Sequence, residues 1–349
     1  MMDNSNLVFP NVPPPPAVSI LLPVYNAETT LHDCLDTIFS QSFNDYEVIA
    51  INDGSEDDSQ LLLNAWANRD KRLRIVNTCH RGLVSALNTG LSLARAPLIA
   101  RMDADDLMNP SRLERQIRTM GENPHLDLLA SQARIIPIES VTAGLQEYMR
   151  WQNNCLTHEE IHSEIYWESP LVHPTVMFRR QRVLGLGGYR QGDFPEDYDL
   201  WLRMVQAGCL MAKLPEVLLD WRDGPTRLTR SDGRYGRQAF ARLRLSYLAR
   251  DTRLPKDRPI WCWGAGRRAR QQVVQLARLG VKISGWIDID PMKTGRLLHG
   301  APVYPPTVLE TSIRPFLLCM VTNHGARDLI AGHLHRLGYQ AGQDYFMTG

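Results

Sequence analysis

Three carboxylates, Asp103, Asp105 and Asp106, lie directly after an apolar run and just before Pro110. The run, residues 96–100, is typical of a buried strand that ends in a turn. Open α/β sheets bind their ligands outside the carboxyl ends of strands. Mg²⁺ and Mn²⁺ prefer oxygen ligands, and Mg²⁺ is commonly held by one or two carboxylates plus substrate phosphates. The pattern predicts a divalent metal that holds a diphosphate, although Asp is also a common turn residue.

Composition narrows the class of protein. A length of 349 residues favours two domains, and 44% hydrophobic with 22% charged residues is ordinary for a globular chain. Lys plus Arg is 39 and Asp plus Glu is 38, so no overall charge indicates a nucleic-acid partner. No C-x-x-C pair, signal peptide or long apolar run is present. We therefore expect a cytoplasmic protein with reduced thiols.

Strand and helix patterns alternate over the first part of the chain. We predict strands at residues 18–22 (ended by Pro23), 46–51, 73–76, 98–102, 126–130 and 176–178, and helices at 31–39, 61–66, 83–94, 112–120, 159–166 and 196–205. This order predicts a largely parallel sheet with helices on both faces.

A second pattern follows a basic segment. Residues 222–258 carry eleven Lys or Arg against four Asp or Glu, with apolar residues at helical spacing, which predicts a helix linking two domains. Residues 260–287 then form a β-α-β pattern with the fingerprint Gly264-x-Gly266-x-x-Ala269, followed by Asp288. The predicted divisions are a flexible Pro-rich arm at 1–16, a catalytic domain at 17–232, a basic helical linker at 233–256 and a Rossmann-like α/β domain at 257–349.

Five segments in order carry a family resemblance. They are residues 19–26, 52–55, 81–90, 100–106 and 196–201. Over residues 17–222 the chain resembles the family 2 glycosyltransferases, which have the glycosyltransferase-A fold. The resemblance implies a mixed, mostly parallel sheet. It also implies an enzyme that transfers a sugar, usually with inversion, from a nucleotide diphosphate sugar to an acceptor.

The resemblance also implies a nucleotide site at the ends of the first strands. A Tyr there can stack on a base, and the matching Asp53 accepts from the uracil N3–H, which favours a UDP-linked donor. Arg81, beside a helix N-terminus, can hold phosphate, and Asp103 contacts ribose directly or through the metal. The alternatives are a packed Tyr, an Asn-Asp-Gly turn and an exposed Arg. The implied nucleotide-binding set is Pro23, Tyr25, Asn26, Asp53, Arg81 and Asp103.

The same resemblance implies the catalytic groups. Asp105, with Asp103, binds Mn²⁺ or Mg²⁺, while Asp106 is a helper or a cap. Asp197 is the general base that takes the proton of the acceptor hydroxyl. Glu196 is the alternative base or a binder of acceptor hydroxyls, and ordinary helix capping remains open for both residues. Because a metal neutralises the leaving diphosphate, one base and one metal account for the chemistry.

His173, Tyr189 and Arg190 resemble family segments that shape the acceptor side. His173 contacts diphosphate or metal, or is structural. The acceptor is a glycan or a lipid-carrier-linked sugar in cell-surface polysaccharide synthesis. The basic helix over residues 234–250 either touches an anionic membrane surface or lipid-diphosphate acceptor, or is a solvated linker face. Peripheral binding at the inner membrane surface and a homo-oligomer stay open.

The C-terminal part leaves competing functions. Residues 286–290 and 300–303 resemble the nucleotide-binding-like N-terminal domain of sugar O-acyltransferases, which suggests an accessory role. Arg267 and Arg268 replace the small residues common at dinucleotide sites. An NAD-dependent oxidoreductase and a non-catalytic sugar-nucleotide-binding protein are the alternatives. The first lacks evident hydride-transfer residues, and the intact carboxylates argue against the second. No Gly-rich, Lys-bearing loop follows the first strand, which disfavours a nucleotidyltransferase.

Overall fold

The computed structural model describes residues 14–224, 232–323 and 325–349. Most of the predicted arm, residues 1–16, therefore lies outside the described residues. The described chain contains a large sheet followed by a smaller one, as expected.

The first sheet is mixed and mostly parallel. Its strands in the described residues are β1 (Val18–Val24), β2 (Tyr46–Asn52), β3 (Leu73–Asn77), β4 (Leu98–Arg101), β5 (Leu107–Met108), β6 (Leu126–Ile136), β7 (Met177–Arg179) and β8 (Leu210–Arg222). Their spatial order is β3-β2-β1-β4-β7-β6-β8-β5. Strands β1 to β4 run parallel, whereas β7 is antiparallel to both β4 and β6. The predicted mixed, mostly parallel sheet is confirmed.

Helices cover both faces of this sheet. They are α1 (Leu31–Phe39), α2 (Ser59–Arg69), α3 (Leu83–Leu93), α4 (Arg112–Glu122), α5 (Ala143–Asn154), α6 (His158–Glu164), α7 (Arg180–Gly185) and α8 (Glu196–Gln206). Alternate residues of β1 enter different apolar clusters: Leu21 packs with residues of α3, and Ile20 packs with residues of α1. A strand covered on both faces must be apolar throughout, which explains the unbroken run in the sequence.

The first strand is longer than predicted. It continues through Pro23, which the sequence suggested as its end, to Val24. Pro23 pairs with Ile51 of β2, while the register with β4 ends at Leu21. A proline is tolerated here because the second neighbouring strand no longer needs its missing N–H group.

Helix α5 and strand β8 were not predicted. Thr142 caps α5 by accepting from the Leu145 N–H at 3.3 Å. Strand β8 carries polar residues and pairs with β6 through several register shifts. Its buried Lys213 donates to the Pro170 carbonyl at 2.9 Å. Contacts with other parts of the fold stabilise α5 and β8, because neither element has a regular spacing of apolar residues.

The second sheet is parallel except at one edge. A linking helix α9 (Arg237–Leu248) precedes it. The remaining elements are β9 (Ile260–Trp263), α10 (Arg267–Arg278), β10 (Ile283–Ile287), β11 (Leu297–Leu298), β12 (Ala301–Tyr304), β13 (Phe316–Cys319), α11 (Ala326–Arg336) and β14 (Tyr345–Met347). The order is β11-β12-β10-β9-β13-β14, and β11 alone is antiparallel in the described sheet.

Helix α9 is not a solvated spacer on all sides. Leu243, Leu245 and Leu248 are buried in an apolar cluster that also contains Tyr198 of α8 and Phe316 of β13. The two sheets therefore share part of their core. Across the described ranges, no helix combines the length and apolar character that crossing a membrane requires.

Candidate active site

A cavity of about 550 Å³ brings the two separate groups of carboxylates together. Asp103 and Asp105, in the turn after β4, line it from one direction. Glu196 and Asp197, at the start of α8, line it from another, and His173 lies in the same wall. The sequence separates these groups by some ninety residues, but the fold places them around one space. Its volume lies within the range of small-molecule binding sites.

The carboxylates after β4 form a compact oxygen cluster. One ligand atom from each of Asp103, Asp105 and Asp106 lies within 4.8 Å of the others. Asp106 is fully buried, and its Oδ1 accepts from the Arg222 N–H at 2.8 Å, which fixes the end of β8. Asp103 and Asp105 are half-buried and face the cavity. An all-carboxylate donor set fits Mg²⁺ or Mn²⁺ rather than a softer metal.

Arg101, the last residue of β4, is a buried cation in the wall of the cavity. Its guanidinium forms an ion pair with Asp103. Its side chain is 2% exposed, and its charge also lowers the pKa of His173. Arg101 was not among the predicted site residues. A charged residue that closes an apolar strand was the available signal, because buried charges require partners.

Glu196 and Asp197 begin α8 after Pro195. Glu196 is 2% exposed, and its Oε2 accepts from the Tyr235 hydroxyl at 2.6 Å. Asp197 is half-buried, and its Oδ1 accepts from the Tyr198 N–H at 2.7 Å. Burial, and then the neighbouring charge of Glu196, raises the pKa of Asp197 to about 8. Burial also raises the pKa of Glu196. A carboxylate with such a pKa suits proton transfer near neutral pH.

His173 is a buried, neutral side chain beside this pair. Its Nδ1 lies 3.8 Å from Glu196 Oε1, and its Nε2 lies 2.9 Å from the Tyr189 hydroxyl. Burial, followed by the charge of Arg101, holds the pKa of His173 well below its ordinary value. Tyr189 is buried behind His173, whereas Arg190 is exposed. Of these three predicted acceptor-side residues, only His173 is among the described residues that line the cavity.

The residues predicted to bind nucleotide form a second cluster at the ends of β1 and β2. Both oxygens of buried Asp53 accept backbone N–H groups at the start of α3, from Arg81 at 3.0 Å and Gly82 at 2.7 Å. The Tyr25 ring stacks on His80 with centroids 4.1 Å apart, and His80 Nδ1 lies 3.0 Å from Asp53 Oδ2. His80 was missed, because a histidine in a loop carries no pattern.

The loops after β1 and β2 are held together by Asn26. Its backbone has a φ of 49°, and its Oδ1 accepts from the Glu56 N–H at 2.8 Å. Its own N–H donates to Ser55 Oγ at 3.0 Å. Pro23 is half-buried at the base of this loop, and Arg81 is exposed beside it. These residues are therefore neighbours, but they lie outside the lining of the carboxylate cavity.

Comparison with known proteins identifies the first sheet domain. The family described as Glycosyl transferase family 2 matches residues 19–185. The amylovoran biosynthesis glycosyltransferase AmsE of Erwinia amylovora is 32% identical over 218 residues, covering 62% of this chain and 79% of the relative. The O-antigen biosynthesis glycosyltransferase WbnJ of Escherichia coli is 29% identical over 208 residues, covering 59% and 79%.

Solved structures share the fold. S. aureus TarS 1-349, in complex with UDP-GlcNAc, matches with a TM-score of 0.55 at 15% identity, covering 75% of this chain and 72% of that one. The mannosyltransferase PcManGT from Pyrobaculum calidifontis, in complex with GDP-Man and Mn²⁺, matches with a TM-score of 0.50 at 19% identity, covering 76% and 70%. At such identity the likeness concerns the fold alone. The family match and the 32% identity to AmsE over 79% of that relative show that the chain belongs to glycosyltransferase family 2 and is a glycosyltransferase.

Proposed function

We propose that this protein is an inverting, metal-dependent glycosyltransferase that uses a UDP-linked sugar in cell-surface polysaccharide synthesis. The observation that carries the proposal is the common cavity of Asp105 and Asp197. A direct displacement is favoured by a stabilised leaving diphosphate, which an ion held by Asp105 would supply, and by a base for the acceptor hydroxyl, which Asp197 would supply. The printed names of the amylovoran and O-antigen relatives support the polysaccharide context. The acceptor is then a glycan or a carrier-linked sugar.

Asp105 and Asp103 are the proposed metal ligands. Their ligand atoms and that of Asp106 converge within 4.8 Å, and the carboxylate chemistry fits Mn²⁺ or Mg²⁺. When bound, the ion supplies neutralising charge to the leaving diphosphate. Arg101, paired with Asp103, holds that carboxylate in one orientation.

Asp197 is the proposed general base. The acceptor oxygen attacks the anomeric carbon, the bond from that carbon to the diphosphate oxygen breaks, and the hydroxyl proton passes to Asp197. Attack from the face opposite the leaving group inverts the anomeric centre. Glu196 is already held by the Tyr235 hydroxyl, which favours Asp197 as the base and Glu196 as a binder of acceptor hydroxyls. His173, neutral and beside Glu196, is proposed to shape the acceptor side with Tyr189 behind it, while exposed Arg190 would act only at its edge.

The loops after β1 and β2 are the proposed nucleotide site. Tyr25 presents a ring that is 46% exposed, so a base can stack on it after the ring leaves His80 or on its open face. Asp53 accepts two backbone N–H groups, yet a carboxylate has further lone pairs for a uracil N3–H. Arg81 is exposed at the start of α3 and available to phosphate. Pro23 and Asn26 shape the loop that carries Tyr25.

An oxidoreductase built on the second sheet is a weaker candidate. Asp288, the residue of the fingerprint that would bind ribose, already accepts from the Ala265 N–H at 2.7 Å and pairs with Lys293 at 3.0 Å. Contacts within the domain therefore already occupy the Asp288 carboxylate that would otherwise bind ribose. We propose an accessory role for this domain, and the resemblance to sugar O-acyltransferases remains a prediction. The division at residues 232 and 256, a cytoplasmic location and contact with the inner membrane surface are also proposals.

Isothermal titration of UDP, GDP and NAD, each with and without Mn²⁺, tests the proposed function. We expect UDP binding that requires Mn²⁺ and is lost in Asp105→Ala. Asp36→Ala, a change of an exposed carboxylate on α1, is the control and should bind like the natural chain. NAD binding without UDP binding would overturn the proposal.

A further inference from the structure

One end of the carboxylate cavity, hereafter the catalytic cavity, is basic, and its residues have no role in the reaction proposed above. Three arginines line it there: Arg237 and Arg244 of α9 and Arg268 of α10. The linking helix and the second sheet domain thus supply part of the wall of the cavity that holds Asp197. Glu168 is the acidic side chain whose charge acts on both Arg244 and Arg268.

Arg244 is a buried cation that lies near Glu168 but, among the described residues, forms no hydrogen bond or ion pair with it. It is 2% exposed, and its Nη1 donates to the Trp167 carbonyl at 2.6 Å, while its Nη2 donates to the main-chain oxygen of Gly349. Its Nε has no hydrogen-bond partner among the described residues. Within those residues no Asp or Glu side chain comes within ion-pair distance of it. A buried charge in this state favours a bound anion nearby.

Arg237 and Arg268 are exposed and reachable from the cavity. Each lies in the first turn of its helix, so two helix N-termini add partial positive charge to the guanidinium groups. In the ranges that the structure covers, neither residue forms an ion pair. Partial burial first, and then the charges of Arg244 and Arg237, lowers the pKa of Arg268, while Glu168 acts in the opposite direction. The like charges of the three arginines therefore repel one another. An anion would relieve that repulsion.

The basic end also opens into a neighbouring groove. Arg237, Arg268 and Glu168 line both the catalytic cavity and an adjoining cavity of about 370 Å³. The walls of the second cavity include Trp151 and Trp167. An anionic group bound by the two arginines can therefore be the middle part of a longer ligand. One end of that ligand would lie near Asp197, and the other would extend into the second cavity.

We propose that Arg237 and Arg268, with Arg244 beneath them, bind a phosphate or diphosphate group of the acceptor. The inference rests on the proposed function, since it assigns the acceptor a charged anchor. Forked guanidinium groups and helix N-termini together match an anion of two or more charges with several acceptor oxygens. The second sheet domain then takes part in acceptor selection.

Calorimetric titration of inorganic pyrophosphate into the full chain tests the proposal. A chelator first removes divalent metal ions, so that pyrophosphate cannot bind through an ion held by the carboxylate cluster. The Arg237→Ala/Arg268→Ala variant should bind pyrophosphate at least about tenfold more weakly. The control, Arg242→Ala/Arg278→Ala, removes two exposed arginines from the same helices and should leave binding unchanged. Arg268→Lys, which keeps the charge but not the fork, should give an intermediate loss. Equal binding by the double variant and the natural chain would overturn the site.

A parallel titration with glucuronate separates phosphate from carboxylate chemistry. If glucuronate binds as tightly as pyrophosphate and through the same arginines, the assignment to phosphate is wrong. Mn²⁺-dependent UDP binding is measured on every variant and is expected to persist. UDP binding without arginine-dependent pyrophosphate binding overturns the inference alone. Arginine-dependent pyrophosphate binding without UDP binding supports the anion site while the proposed function fails.

Discussion

The Tyr235 hydroxyl donates a 2.6 Å hydrogen bond to Glu196 Oε2. Tyr235 lies just before α9, so the segment that links the two sheets reaches into the carboxylate cavity. The bond engages one of the two adjacent carboxylates, whereas Asp197 accepts hydrogen bonds from backbone N–H groups of its own turn. The two residues are therefore separated in role by their contacts, although the sequence presents them as equivalent neighbours.

Replacing Asp197 by Asn should reduce sugar transfer by about 10²- to 10⁴-fold, the usual contribution of a general base. The amide keeps the shape of the side chain but cannot take the proton. Mn²⁺-dependent UDP binding should stay nearly intact. Product formation and UDP titration measure the two effects, with Asp193→Asn, an exposed change before α8, as the control. Full turnover in Asp197→Asn, with loss in Glu196→Gln, would move the base to Glu196.

The rate should depend on pH through Asp197. Because its pKa is raised to about 8, the base is protonated at lower pH and becomes competent as the pH rises through that value. We expect kcat/KM to increase across this range and to level off above it. A pH profile of kcat/KM with a saturating metal ion provides the measurement. An acid limb near pH ~4, typical of an unperturbed carboxyl group, would contradict the assignment.

Arg101 should be important for folding as well as for the site. Arg101→Met removes the partner of Asp103 and a cation whose charge lowers the pKa values of Glu196 and Asp197. We expect the free energy of unfolding to fall by about 1.5–3 kcal/mol, less than for a fully buried pair, because the Asp103 that remains is half-buried. Urea denaturation measures the change. Arg118→Met, which breaks an exposed pair with Glu114, should cost less than about 1 kcal/mol.

Gly54 should not tolerate a side chain. Its φ is 73°, and a Cβ atom there would lie 2.8 Å from the backbone nitrogen of His80. We expect Gly54→Ala to lower the free energy of unfolding by at least about 1–2 kcal/mol and to weaken UDP binding through displacement of His80. Gly185→Ala, at the end of α7 where a Cβ atom meets open space, is the control and should be nearly neutral. Unchanged UDP affinity in folded Gly54→Ala would separate His80 from the nucleotide site.

Elements with a regular apolar pattern could be predicted from the sequence. The spacing of Leu31, Cys34, Leu35 and Ile38 predicts α1, and those residues are buried in it. Helix α5 could not be predicted in this way, because its contacts are mixed: Trp151 is buried while neighbouring positions are polar. Strand β8 is likewise held by its pairing with β6 and by the buried Lys213.

The candidate site could be predicted only where a local motif marks it. Asp103, Asp105 and Asp197 stand in short patterns, and they do meet in one cavity. His80 and Tyr235 were missed because their partners, Asp53 and Glu196, lie far along the chain. Arg101 was missed although its partner Asp103 is only two residues away, because the sequence does not show that Arg101 is buried. Asp53 was predicted for its contact with a base, whereas its bonds to the Arg81 and Gly82 N–H groups depend on how β2 and α3 are brought together.

The apolar cluster that joins α8, α9 and β13 is a core that both sheets share. Deleting residues 257–349 would expose Leu243, Leu245 and Leu248 to solvent. The remaining domain would then carry an exposed apolar patch that favours aggregation. The second sheet therefore supports the packing of α8 and α9. Substitutions in the core of the second sheet, even far from Asp197, would therefore change the shape of the cavity, because the shared core is closely packed.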